Sequence, residues 1–324
     1  MNTRIEALLR MPAHGGARAV ARRLLRAAAR TCPRLHVRKD RDALHDFRVS
    51  LRRLRTALRF YRPFLAGRVQ KADLRALKRI ASSTGAGRDA EVQIAHLKAF
   101  ETALAASRRH AVAWLRSRIA SQADPVGIME AKRAFLSLET RLRPSLMKRP
   151  TLAESAQESR GPSFGRATGD MLLSAASRLQ RDLAAVRSAH DSKRAHRARI
   201  SGKRLRYLLE PLTGRSSAWS RALKQLKGLQ DVLGELHDMH VLSQQIASAA
   251  EQHAVEIVRR RLAAAAAPRA LRRRAKDPVP GLVLLARRVR RRELALFRGL
   301  GRSWGEVRKA RFFGSLFSLA EGIR

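Results

Sequence analysis

Acidic residues are scarce in this chain. Its 26 Asp and Glu face 69 Lys and Arg, a formal net charge of +43 over 324 residues. An excess of that size repels itself in a compact fold and points to a polyanionic partner that supplies the missing negative charge. Aromatics make up only 5%, which disfavours the stacking platforms of single-strand nucleic-acid binders. Cys32 is the single cysteine, so an internal disulfide is excluded and a reducing, cytoplasmic setting is expected. No run of about 18 apolar residues occurs, and the first 30 residues lack a compact apolar core, so neither a membrane span nor a secretion signal is expected. P-loop, G-x-G-x-x-G and G-x-S-x-G motifs are missing, and the acids are too scattered to hold Mg²⁺ for phosphoryl chemistry. The expectation is a binding protein, not an enzyme, with no cofactor and no metal.

The chain has enough apolar residues to fold, 45% of the total, dominated by Ala and Leu, which favour helix over strand. Apolar positions recur at helical spacing over many stretches, among them 42–64, 69–83, 90–121, 128–146, 163–188, 190–212, 220–233 and 239–267. This predicts an all-α protein with short connections. The polar segment Pro150–Pro162 reads as a linker between halves at 1–160 and 161–324, and a second break falls at Pro268–Pro280. Gly85, Gly87 and Gly234 fit helix C-caps, with Asp89 and Asp238 at N-cap positions.

An internal repeat stands out. The frame H-x-x-R-[VI]-S-x-[RK]-R-L-R occurs from His45 to Arg55 and again from His196 to Arg206. A second pair of matches follows in order: Arg75-x-Leu77-Lys78 leading to Gly85, Arg88 and Asp89, and Lys224-x-Leu226-Lys227 leading to Gly234, His237 and Asp238. Placed on a helix at about 100° per residue, His45, Arg48, Arg52, Arg55 and Arg59 fall within an arc of roughly 80° beside an apolar face of Phe47, Leu51, Leu54 and Leu58. In the second copy His196, Arg199, Lys203, Arg206 and Tyr207 form the same stripe, with Glu210 in the place of Arg59. Stacked like charges at spacing three and four repel, so two such ladders point to an anion-binding groove shared by both halves. Arg75 with Lys78, and Lys224 with Lys227, are candidates for its opposite wall, and Arg88 could point into it. The histidines, beside so many cations, should stay neutral until an anion arrives, so that affinity strengthens as pH falls from about 8 to 6. His237, Asp238 and His240 come closest to a metal set, but the first copy has Arg88 and Glu91 at the corresponding places.

These motifs resemble the conserved histidine α-helical domain, CHAD. The run Lys203-Arg-Leu-Arg206-Tyr207-Leu-Leu-Glu210 is similar to the ending of the family's second motif, Ile80–Asp89 resembles its L-x-x-x-x-G-x-x-R-D element, and Leu229–Asp238 resembles L-Q-D-x-L-G-x-x-x-D, except that His237 stands where members carry a small polar residue. The resemblance implies two antiparallel four-helix bundles in tandem, related by internal duplication about a pseudo-twofold axis. It also implies a central basic groove that binds inorganic polyphosphate, and a place on polyphosphate granules. Many members carry a triphosphatase-like domain, for which this length leaves no room. Carried over, the phosphate contacts are His45, Arg48, Arg52, Arg55, His196, Arg199, Lys203 and Arg206, supported by Lys78, Arg88 and Lys227. Non-specific nucleic-acid binding is the alternative, and a metal-dependent hydrolase of triphosphate or polyphosphate a more distant one. The oligomeric state is not legible in the sequence.

Overall fold

Helical periodicity is realised along nearly the whole chain. A computed structural model describes residues 3–36, 40, 42–102, 104–121, 126–266 and 277–324. In chain order its helices are α1 Thr3–Arg10, α2 Ala13–Thr31, α3 Ala43–Phe60, α4 Lys71–Ser83, α5 Gly85–Glu101, α6 Arg109–Ser121, α7 Val126–Met147, α8 Leu152–Arg160, α9 Phe164–Ala184, α10 Ser192–Leu209, α11 Ser217–Ala266, α12 Val279–Ser303 and α13 Glu306–Glu321. The described residues contain no β-strand, only an isolated bridge between Pro12 and Ser163.

Each half closes a ring of four helices. In the first, α2 packs on α3, α3 on α4, α4 on α7 and α7 back on α2. In the second, α9, α10, α11 and α13 close in the same order. Among the described residues five helix pairs join the halves: α1 and α2 with α9, α3 with α10, α5 with α11 and α6 with α12. The apolar core runs continuously across both, from Phe47, Leu54 and Phe135 to Phe164, Leu205, Trp219 and Phe313, each at most 1% exposed. The C-terminal aromatics belong to it: Phe312 and Phe313 of α13 are buried against the second ring.

The α2–α9 contact is tight because glycine allows it. A β-carbon on Gly16 would lie 2.3 Å from Cγ of Phe164, itself fully buried. Gly16→Ala is therefore expected to destabilise the fold by about 1–3 kcal/mol, seen as a lower urea midpoint. An unchanged midpoint would mean that the two halves separate here without cost.

Three sequence expectations change. Pro150–Pro162 is not an open linker: it holds α8, started by a capping box in which Thr151 Oγ1 accepts from the Glu154 amide and Glu154 accepts from the Thr151 amide. Arg18 of α2 clamps α8 through Glu158, with 2.8 Å between Nη2 and Oε2, and holds that carboxyl below its usual range. The region 90–121 is two helices, α5 and α6, joined by a 3-10 turn at Ala106–Arg108. By contrast, 217–266 is one helix of 50 residues, so Gly234 and Asp238 are interior positions and not caps. A helical glycine costs about 1 kcal/mol against alanine, and burial of Leu226, Leu229, Leu233 and Leu236 along the same face outweighs it. Asp89 likewise lies inside α5.

Candidate anion-binding cleft

α3 and α10 place the two ladders. In α3, Phe47, Leu51, Leu54 and Leu58 recur at helical spacing and are buried, which fixes the rotation of the helix. Asp46 lies in the first turn and Arg59 in the last, in favourable order for the helix dipole. Arg34 grips Asp46 at 2.6 Å and Asp40 at 2.8 Å, anchoring the start. α10 is held on two sides, by α9 and α11, and its small buried residues Ala195, Ala198, Ser201 and Gly202 permit the close approach. Gln230 of α11 donates to the Gly202 carbonyl at 2.8 Å, and Ser201 donates to Asp182 of α9. With its other faces occupied, each helix keeps one strip for its cations, and because α3 and α10 touch, the strips meet.

They meet in a cleft of about 640 Å³. Arg48, Arg52, Arg55 and Arg59 line it from α3, and His196, Arg199, Lys203, Arg204 and Tyr207 from α10. Arg178 of α9 and His237 of α11 complete the charged and titratable lining. Among the described residues no Asp or Glu lines it. The electrostatics show that the halves share one field. Burial first, then Arg199, Arg52 and Arg206, push the Lys203 ammonium down to about 7. Arg55 is lowered by burial and by Arg52 and Arg59, and Arg204 by burial, Arg59, Arg178 and Arg55. His237 is pushed down to about 4 by burial and then by Arg199 and His196, so it is neutral at ordinary pH. Its ring lies against His196, with centroids 4.8 Å apart and the Nδ1 atoms 3.5 Å apart, and His196 too is lowered by burial, Arg199 and Lys203.

The remaining expected residues are placed as follows. Arg206 packs its guanidinium over the Tyr207 ring at 5.0 Å and pairs with Glu210 at 3.4 Å, beside the cleft. Arg48 lines the cleft and also donates to the Thr84 carbonyl, covering the C-terminal end of α4. His45 is exposed in the first turn of α3 and is not among the lining residues. Lys78 on α4 and Lys224 and Lys227 on α11 are exposed and do not line the cleft, so they are not its opposite wall. The reason is helical phase: α4 and α11 turn Leu77, Ile80, Leu226 and Leu229 to the core, which carries the neighbouring lysines outward. Arg75 lines an adjacent trough. The Arg88 side chain lies outside the described residues.

Sequence reasoning missed Arg204 and Arg178. Arg204 is in the quoted motif but sits about 100° around the helix from Lys203, off the stripe, and only the crossing of α3 over α10 turns it into the cleft. Arg178 has no counterpart in the first motif. Asp238, expected as a cap, instead ties α11 to α5, with His96 Nε2 at 3.7 Å and Gln93 donating to its carbonyl at 3.3 Å. Among the described residues no three His, Cys, Asp or Glu side chains converge as a metal set, and no helix is long and apolar enough to cross a membrane.

The CHAD-domain family model matches residues 18–247, a span that contains both ladders and the cleft. The chain belongs to the CHAD-domain family. The crystal structure of the CHAD domain from the plant Ricinus communis is similar over 95% of this chain and 92% of its own, with a TM-score of 0.61 at 21% identity, a likeness of fold. No curated protein matches the chain.

Proposed function

We propose that this CHAD protein binds inorganic polyphosphate in the α3–α10 cleft, holds it without chemical turnover, and through it associates with polyphosphate granules. The observation that carries the reading is the meeting of Arg52 and Lys203, from opposite halves of the chain, in a cleft lined by no carboxylate among the described residues. So dense a set of half-buried cations is unfavourable when empty and is relieved by an anion of high charge density. A slender inorganic chain can enter such a cleft, whereas a DNA duplex, with its phosphates on the outside of a wide rod, cannot. Turnover would require carboxylates to hold a metal against the reacting phosphate, and the described residues of the lining offer none.

Counterion release makes the affinity salt-dependent, with roughly one unit of log–log slope per phosphate contact. Long-chain polyphosphate is therefore expected to bind with a steep salt slope and to resist displacement by duplex DNA at equal phosphate concentration. If duplex DNA displaces it, the cleft is a general polyanion or nucleic-acid site. If phosphate is released in the presence of Mg²⁺ or Mn²⁺, the protein is an enzyme and this reading falls.

A further inference from the structure

The two halves are not electrostatically equivalent, and the difference lies at one pair of positions that meets twice. In the repeat frame Arg53 corresponds to Arg204, and Arg59 to Glu210. On one side of the α3–α10 crossing, Arg53 Nε lies 2.7 Å from Glu210 Oε2, and the same carboxylate takes Arg206 at 3.4 Å. On the other side the corresponding partners are two cations, Arg204 and Arg59, and Arg204 is lowered by burial and then by Arg59, Arg178 and Arg55. One corner is neutralised by a direct ion pair, whereas at the other the described residues form none with Arg204 or Arg59, and Asp182 acts on Arg204 only from a distance.

The open corner leads outward. Arg59 lines the cleft and also a trough of about 870 Å³, whose other charged lining residues are Arg62, Lys71 and Arg75. Among the described residues no carboxylate lines this trough, and none forms an ion pair with Arg59, Arg62, Lys71 or Arg75. In the repeat frame the places of Arg62 and Lys71 are taken by Thr213 and Ser220, so beyond Glu210 the second half keeps only Lys224 of this set.

Resting on the polyphosphate reading above, we propose that the polyanion leaves the cleft on one side only, past Arg59, and that Arg62, Lys71 and Arg75 form an extension subsite for the phosphates beyond it. The symmetry-related exit is shut by Glu210, which occupies Arg53 and Arg206 and repels an anion. The protein would then read chain length in one direction. Tripolyphosphate would fit within the cleft, whereas longer chains would also reach the trough and gain contacts there.

The test compares tripolyphosphate with long-chain polyphosphate by calorimetry on the full chain. Arg62→Ala/Lys71→Ala/Arg75→Ala changes exposed side chains only, so folding is expected to be unaffected. It should lower long-chain affinity roughly tenfold and leave tripolyphosphate within about twofold. Lys224→Ala/Lys227→Ala, on the other half, should leave both ligands within about twofold. The proposal is overturned if the triple variant keeps its gain from chain length, if the lysine pair loses as much as the triple, or if the wild type binds both ligands equally. A wild type that binds neither ligand instead overturns the polyphosphate reading itself.

Discussion

Replacing Arg52 and Lys203 together by methionine is expected to weaken polyphosphate binding roughly 100-fold, taking ~1.5 kcal/mol for each charge-assisted contact with phosphate. The same variant, without ligand, is expected to melt a few degrees higher than the wild type. Both effects have one cause. Lys203 is half-buried beside Arg199, Arg52 and Arg206, and its ammonium is driven down to about 7. Keeping it charged at neutral pH opposes folding, whereas methionine keeps the length of the apolar stem and removes the charge. Binding titrations at fixed salt, with calorimetric melting of the free protein, read the two quantities separately. Lost affinity with lost stability would mark these side chains as structural supports, and unchanged affinity would remove the cleft from the binding site.

The second large effect is on pH. In the free protein Lys203 titrates near 7. A bound polyanion favours the ammonium and raises its pKa toward the ordinary lysine range. The protonated form therefore binds better: affinity is full below about 7 and declines as pH rises from there toward the bound-state value. Binding at pH 8 should take up a proton, measurable from the heat of binding in buffers of different ionisation enthalpy. Lys203→Arg stays charged throughout, so it should bind at pH 8 at least as tightly as the wild type and without proton uptake. A wild-type affinity that is flat from pH 7 to 9 contradicts this. The folded protein obeys the opposite sign. A lysine with a depressed pKa favours unfolding where it must be charged, so its contribution to stability improves as pH rises through about 7. The window differs from the one expected from the histidines alone, between 8 and 6. Burial presses His237 down to about 4 and lowers His196, while Lys203 is pushed down to about 7.

Much of the cleft was legible before any geometry. The periodicity of Phe47, Leu51, Leu54 and Leu58 fixes which arc of α3 is buried and therefore which arc holds Arg48, Arg52 and Arg55. The repeat frame carries the same logic to His196, Arg199 and Lys203, and all six of these cleft residues were named from it. His45 was named by the same rule yet sits exposed outside the lining, because the cleft extends from the α3–α10 crossing and does not reach the first turn. Lys78, Lys224 and Lys227 were assigned from spacing, with the family resemblance adding Lys78 and Lys227. Spacing states which residues share a helix face but not what that face meets. Gly234 illustrates the converse: a glycine that suits a cap became the interior of α11 once leucines on both sides found a core.

The sequence by itself determined the helical class, the two cationic ladders and the surplus of positive charge, since periodicity and composition are properties of the chain. Only tertiary structure decided that the ladders meet in one cleft, that Lys203 is half-buried there, that Arg204 and Arg178 join the lining, and that Glu210 pairs with Arg53 while Arg59 lines both the cleft and the trough. Those outcomes depend on distance and desolvation between residues from opposite halves of the chain, and Coulomb energy at a few ångströms in a half-dry cleft is many times its value in open water.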